Sequence, residues 1–158
     1  MEQIEASIAR YILSAAGADV TPYYNDLEEG FKVPSIFFPE TETGTTREDF
    51  DTYAFNNAWY VKFFHSTTDK AKALAKKVLA KIVGGRYYVP IVNEDGTYTN
   101  RKIRLLRAEI KKIDNSVYQM WLDWDESYEY DDLSNESEKM QTYDISLNFK
   151  KEVCCNNE

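Results

Sequence analysis

The sequence has few of the residues that most often build catalytic and metal sites. It contains one histidine and two cysteines. Cys154 and Cys155 are adjacent in a polar segment, which predicts neither a disulfide framework nor a four-ligand zinc site. His65 has no nucleophile beside it in a motif that would activate one, so we interpret it as a junction residue. We therefore expect a protein that is not an enzyme and that uses no cofactor.

The sequence also lacks long apolar runs and an excess of positive charge. No uninterrupted apolar run reaches about 18 residues, which argues against a membrane-spanning helix. There are 19 Lys and Arg against 27 Asp and Glu, for a net charge of −8. Sequence-independent binding of DNA needs clustered basic side chains, so we expect no such binding. Glu2 and Glu5 stand where a secretory leader would be basic, which predicts a cytoplasmic protein.

The residues that are present suit a single folded core. Hydrophobic residues make up 43% and aromatic residues 15% of a chain of 158. A chain of this length typically forms one domain and buries most of its unfolded surface. We predict one domain over residues 1–150, followed by a polar, disordered tail over residues 151–158.

Two segments have the apolar spacing of amphipathic helices. The first begins near Ile4 and ends before Gly17, which can stop a helix. The second ends at Ile82, with Ser66 as the predicted N-cap and Asp69 at the positive end of the helix dipole. The polar face of the second helix is rich in lysine, which we interpret as a solvated face.

Alternation of apolar and polar residues predicts antiparallel strands. The predicted strands are residues 33–39, 53–64, 87–92, 98–113, 117–130 and 141–149. Residues 21–30 and 131–139 are predicted connections, and the polar residues 40–51 are a predicted flap. The predicted fold class is therefore α+β, with an antiparallel sheet of about five to six strands packed against two main helices.

Large aromatic and charged side chains are candidates for an oligomer or partner surface. The candidates are Trp59, Tyr60, Trp121, Trp124, Tyr128, Glu42 and Arg47. The aromatic members have an alternative interpretation as core residues. An exposed apolar surface of this kind would be covered by another subunit.

A row of carboxylates suggests a second surface. Asp123, Asp125, Glu129, Asp131 and Asp132 are candidates for lining a channel, where they would repel phosphates and let DNA pass without specific binding. A metal-dependent hydrolase that uses residues 123–132 is the alternative from a different class, because carboxylates also bind hard cations. The segment lacks the spacing of an EF-hand loop.

The order of elements, together with the sequence EEGFKVPSIFF at residues 28–38, resembles the tail terminator (tail completion) proteins of siphophages and prophages from Gram-positive bacteria. In those proteins a first amphipathic helix precedes a Gly-Phe-Lys-x-Pro segment that enters a strand, and a second helix and further antiparallel strands follow. The resemblance covers most of residues 1–150.

The resemblance implies a structural protein without a catalytic site. It implies a ring homo-oligomer, commonly a hexamer, that caps the tail tube and provides the surface for head attachment. The implied partners are further copies of the chain, the tail tube protein and the head–tail connector protein. The implied location is the virion tail, after assembly in the bacterial host cytoplasm. Another head–tail connector or adaptor protein is the alternative within the same class.

Overall fold

The computed structural model describes residues 3–27 and 29–131. Over this range the chain forms two helices and eight strands: α1 (Gln3–Ala16), β1 (Thr21–Tyr24), β2 (Ser35–Phe38), β3 (Glu42–Arg47), β4 (Thr52–Phe64), α2 (Thr68–Gly84), β5 (Tyr88–Val92), β6 (Tyr98–Arg104), β7 (Arg107–Asp114) and β8 (Val117–Glu129). The predicted α+β class is confirmed. The predicted strand at 141–149 and the predicted tail at 151–158 lie outside the described residues, and the single domain over 1–150 stays a prediction.

Six of the strands form one main sheet. Its order is β1-β2-β4-β8-β7, and β3 pairs with the part of β4 that β2 leaves open. β5 and β6 form a separate two-stranded sheet. All pairs are antiparallel except β1 with β2, which are parallel. The strand count is therefore somewhat larger than predicted, and the main sheet is mixed.

Three segments differ from their predictions. Residues 40–51, the predicted flap, contain β3, whose side chains are all exposed, so no apolar alternation marks it as a strand. The predicted connection at 21–30 contains β1. The predicted strand at 98–113 is interrupted at Leu105, whose backbone N–H donates to Tyr87 O, so that β6 and β7 belong to different sheets.

The core lies between the two helices and one face of the main sheet. Strand side chains alternate between the two faces, so Trp59, Val61 and Phe63 of β4 share the helix side with Met120, Leu122 and Trp124 of β8. The helices contribute Ile8, Ile12, Val78 and Ile82 to the same cluster. The other face of the sheet, which we call the open face, carries the intervening residues. Neither described helix covers it.

The N-terminus of α2 is capped one residue later than predicted. Thr67 has extended backbone angles, φ −141° and ψ 155°, and its Oγ1 accepts from Lys70 N at 3.3 Å. Ser66, the predicted N-cap, instead has its Oγ 3.1 Å from His65 Nδ1. Ser66 and Thr67 both carry the hydroxyl that an N-cap needs, so the sequence does not distinguish them, and the extended backbone angles of Thr67 identify it as the N-cap.

Removal of the Thr67 hydroxyl should therefore destabilise the protein more than removal of the Ser66 hydroxyl. We expect Thr67→Ala to lower the free energy of unfolding by about 1 kcal/mol, because one backbone N–H of the first helical turn loses its acceptor. Thr67→Ser should retain most of this stability, and Ser66→Ala should change it little. Urea denaturation of the three variants measures the difference. Equal losses for Ser66→Ala and Thr67→Ala would contradict the assignment of Thr67 as N-cap.

Candidate assembly surface

Two aromatic side chains, with an arginine side chain stacked on one of them, occupy the middle of the open face. Tyr60 and Trp121 are directly opposite each other in the β4–β8 register, with ring centroids 5.5 Å apart. The Arg107 guanidinium lies 4.0 Å from the Trp121 ring centroid, and its Nε lies 3.3 Å from an Asp123 carboxylate oxygen. These four side chains form the open-face patch. Stacking and the ion pair hold Arg107 flat against the sheet.

Two predicted surface residues, Trp59 and Trp124, are core residues. Each is only 1% exposed, and their rings meet edge to face at a centroid distance of 6.2 Å. The Trp59 indole N–H donates to Pro39 O at 2.6 Å, and the Trp124 indole N–H donates to Glu126 at 3.1 Å. Their prediction as a partner surface is wrong, because they point to the helix side of the sheet.

The predicted acidic row lies along β8 and just beyond it. Asp123 is paired with Arg107 and also accepts from the Trp121 indole, so part of its charge is neutralised. Asp125 accepts from Asn56 Nδ2 at 2.9 Å. Glu129 and Asp131 are exposed, whereas Asp132 lies outside the described residues. The described members of the row therefore differ in charge environment, although Asp123, Asp125 and Glu129 share the open face as predicted.

The far end of the main sheet is a three-stranded ribbon built from β3, the start of β4 and the end of β8. Its helix-side face and its turn carry five aromatic residues, which we call the aromatic tip: Phe50, Tyr53, Phe55, Tyr128 and Tyr130. The Tyr53 ring centroid lies 5.8 Å from that of Tyr128 and 5.0 Å from that of Tyr130. Phe50 in the β3–β4 turn is 84% exposed, and Arg47 lies 5.3 Å over its ring.

The predicted partner-surface residues therefore do not form one surface. Tyr60 and Trp121 belong to the open face and Tyr128 to the aromatic tip. Glu42 and Arg47 are on the exposed strand β3, where Arg47 lies over the Phe50 ring of the tip. The sequence prediction missed Phe50 and Tyr130. A signal existed, since an isolated Phe within the polar segment at 40–51 is unusual for a solvated loop.

The structure also bears on the metal and histidine interpretations. Within residues 3–27 and 29–131, no three His, Cys, Asp or Glu side chains converge in a way that could hold a metal ion.

His65 lies at the junction of β4 and α2, as expected. Partial burial, and then the nearby charge of Lys70, lower the pKa of His65 below its usual value.

No helix in the described part of the chain is long and apolar enough to cross a membrane.

Two proteins of Bacillus subtilis (strain 168) are similar to this chain over most of their length. The chain is 28% identical over 131 residues to "Uncharacterized protein YqbJ". The aligned region covers 83% of this chain and 88% of that protein. It is also 28% identical over 132 residues to "Phage-like element PBSX protein XkdJ". The aligned region covers 80% of this chain and 84% of that protein. The chain is phage-related. No protein-family model matches it.

The similarity to a protein of a phage-like element agrees with the phage or prophage origin that the sequence resemblance implies. The similarity extends over more than four fifths of XkdJ, so it involves the fold as a whole and not one short motif. It supports a phage-related structural role.

Proposed function

We propose that this phage-related protein is a tail terminator, which closes the end of the tail tube as a ring of identical subunits and provides the surface for head attachment. The observation that carries the proposal is the similarity to the PBSX protein over 84% of that protein. The resemblance of residues 28–38 to tail terminator proteins supplies the specific role.

The segment that carries the resemblance has a defined place in the fold. Gly30 has a φ of +79°, so the turn before β2 uses a conformation that favours glycine. Phe31 packs edge to face on Phe64 at 4.8 Å and on Tyr23 at 6.2 Å. Lys32 N donates to the Tyr23 hydroxyl at 3.0 Å. The motif therefore fixes the entry into β2 against the open face of the sheet, which is a structural use of its residues.

The exposed surfaces of the fold suit repeated contacts between subunits. The main sheet ends at β7 on one side and at β1 and β3 on the other, and unpaired strand edges readily pair with other chains. The aromatic tip and the open-face patch add partly exposed rings of the type enriched in interfaces. We propose a ring, by resemblance a hexamer, with no catalytic residue and no cofactor.

The proposed partners are the tail tube protein on one side of the ring and the head–tail connector protein on the other. DNA would pass through the ring without specific binding, because a net charge of −8 repels phosphates. The proposed location is the virion tail, after assembly in the bacterial host cytoplasm.

The growth of tail tubes tests the proposal. We expect that this protein, added in substoichiometric amounts to polymerising tail tube protein from the same phage, stops tube growth and forms annular caps in electron micrographs. Tail tube protein from an unrelated phage is the control and should continue to grow. Deletion of the gene should produce overlong tails without heads. Unaffected tube growth with binding to the connector would contradict the terminator role and favour an adaptor.

A further inference from the structure

The strand β3 is an exposed edge of the main sheet. All six of its side chains are exposed, and among the described strands it pairs only with β4. The Glu48 N–H, just beyond β3, donates to Thr52 O in β4 at 3.2 Å, so the backbone groups of even-numbered residues face β4. Those of Thr43 and Thr45 therefore face outward. In the described part of the chain, no other strand pairs with them.

The strand β7 is the edge on the opposite side of the same sheet. Leu106, directly before β7, donates its N–H to Asp123 O at 2.7 Å, so the odd-numbered residues of β8 face β7. Lys111 is opposite an odd-numbered residue of β8 and therefore faces β8. The backbone groups of Ile110 and Lys112 consequently face outward, and no further described strand pairs with β7.

The third edge strand, β1, is poorly suited to pairing. Thr21 N donates to Pro34 O at 3.1 Å, toward β2, so Pro22, the next residue, faces outward. Proline has no N–H to donate, and an outward proline protects a sheet edge from further pairing. β1 is also only four residues long. Neither β3 nor β7 contains a proline, so of these three edge strands they are the two that can accept another strand.

The β3 and β7 edges have opposite charge. Residues 40–49, which contain β3, carry four acidic side chains and one basic side chain, whereas β7 carries three basic and two acidic side chains. None of the acidic side chains in residues 40–49 forms an ion pair with a described basic side chain. Two copies of β3 in antiparallel pairing would bring acidic residues together, whereas β7 offers the opposite sign.

β3 and β7 of one molecule cannot meet. Two strands, β4 and β8, separate them, so they lie about 14 Å apart at a spacing of about 4.8 Å per strand. Their outward backbone groups also face opposite directions. Because each neighbouring pair from β3 to β7 is antiparallel, β3 runs opposite to β7. A second molecule whose sheet continues the first in the same orientation therefore presents its β7 antiparallel to β3.

We propose that β3 of one subunit pairs with β7 of the next subunit, so that the two main sheets join into one. Thr43 is then opposite Lys112 and Thr45 is opposite Ile110, which is the antiparallel register that pairs all four of these outward residues. The contact is heterologous, because it joins two different edges, and repeated contacts of this kind close into a ring or extend as a filament. Only the closure into a ring rests on the proposed function.

The side chains suit this register. Thr46 is opposite Glu109 and Gly44 is opposite Lys111, all on the open face of the joined sheet. Glu42 is diagonal to Lys111, a position within reach of long side chains. No two like charges are directly opposite each other. Main-chain hydrogen bonds therefore supply the contact, and the charges favour this orientation.

Disulfide crosslinking in the full chain tests the register. The parent variant is Cys154→Ser with Cys155→Ser, which removes the native thiols. Thr46→Cys and Glu109→Cys are then added, together or singly. In the proposed pairing these two positions are opposite without mutual hydrogen bonds, so their Cα atoms lie about 4.5 Å apart, which a disulfide can bridge. Thr46→Cys with Lys111→Cys is the matched control, because it moves the second cysteine two residues along β7.

On mild oxidation, we expect the variant with both cysteines to form covalent dimers, trimers and larger species on non-reducing gels. Each single-cysteine variant should stay uncrosslinked, and a mixture of the two should stop at the dimer. The control pair should give at least about tenfold less crosslinked product, because its Cα atoms are too far apart in this register.

A proline variant tests the backbone contact. Thr45→Pro removes one outward N–H and leaves the β3–β4 hydrogen bonds in place, because Thr45 does not face β4. We expect it to weaken self-association at least about tenfold in sedimentation velocity, since the intermolecular strand pair loses a hydrogen bond and meets the proline ring. Thr45→Ala, which keeps the N–H, should stay within about twofold. Circular dichroism confirms that both variants are folded.

Charge reversal on β7 gives an independent measurement. Lys111→Glu with Lys112→Glu should also weaken self-association, because it places acidic side chains against the acidic β3 edge. The control is Lys72→Glu with Lys76→Glu, which makes the same charge change on the exposed face of α2 and should have little effect. High salt should reduce the difference between the β7 variant and the unmodified protein, since the charges are exposed.

Three results would overturn the inference: an unmodified protein that stays monomeric at millimolar concentration, equal crosslinking of the control pair, or crosslinked dimers of the Glu109→Cys variant alone, which would indicate pairing of β7 with a second β7. The proposed function is tested separately. If the protein stops tube growth but no Thr46–Glu109 crosslink forms, the contact is wrong and the terminator role stands. If the crosslinked series forms but tube growth is unaffected, the contact stands and the terminator role is wrong.

Discussion

Trp124→Ala should lower the free energy of unfolding by about 3–5 kcal/mol, the range for truncation of a large buried aromatic side chain. The ring is 1% exposed and packs edge to face on Trp59. Its removal leaves a cavity between sheet and helices, and Glu126 loses the indole N–H that donates to it. Urea denaturation monitored by far-ultraviolet circular dichroism measures the loss. A variant too unstable to purify at 25 °C would agree with the upper end of this range.

Trp121→Ala is the matched control for this prediction. Trp121 is on the same strand but faces the open side, where it contacts Tyr60 and Arg107. Its ring is only partly buried, so we expect a loss of about 1 kcal/mol. If both tryptophan variants lost the same stability, the assignment of the two faces of β8 would be wrong.

Ser7→Ala should cost about 1–3 kcal/mol, the second-largest effect of a single substitution that we predict. Ser7 is 2% exposed, and its hydroxyl joins α1 to β5. Its Oγ donates to Gln3 O at 2.7 Å and accepts from Val92 N at 3.0 Å. Alanine would leave the buried Val92 N–H without an acceptor, and such a group retains its full desolvation penalty.

Ser14→Ala separates this effect from a general effect of serine on helix stability. Ser14 lies on the same helix, but it is exposed and donates only to Tyr11 O within its own turn. We expect a change within about 0.5 kcal/mol, in either direction. Thermal denaturation of the two variants at equal concentration gives the comparison. A loss for Ser14→Ala as large as that for Ser7→Ala would count against the Ser7–Val92 link.

The candidate surfaces were only partly predictable from the sequence. The aromatic residues could be identified from the sequence by residue type. Trp121 and Trp124, however, lie on opposite faces of β8, and the packing of the helices decides which of the two faces is buried. Phe50 and Tyr53 are separated from Tyr130 by about half of the chain, and β4–β8 pairing brings them to one end of the sheet.

The sequence alone determined the α+β class, the two amphipathic helices and the long strands β4 and β8, because each has a local apolar period that burial requires. It also determined the acidic net charge, which argues against sequence-independent binding of DNA. The tertiary structure decided that β3 is a strand, that Leu105 separates two sheets, and that Trp59 and Trp124 are core. Those outcomes depend on hydrogen bonds and packing between segments, some of them adjacent and some distant in the chain, which local periodicity does not encode.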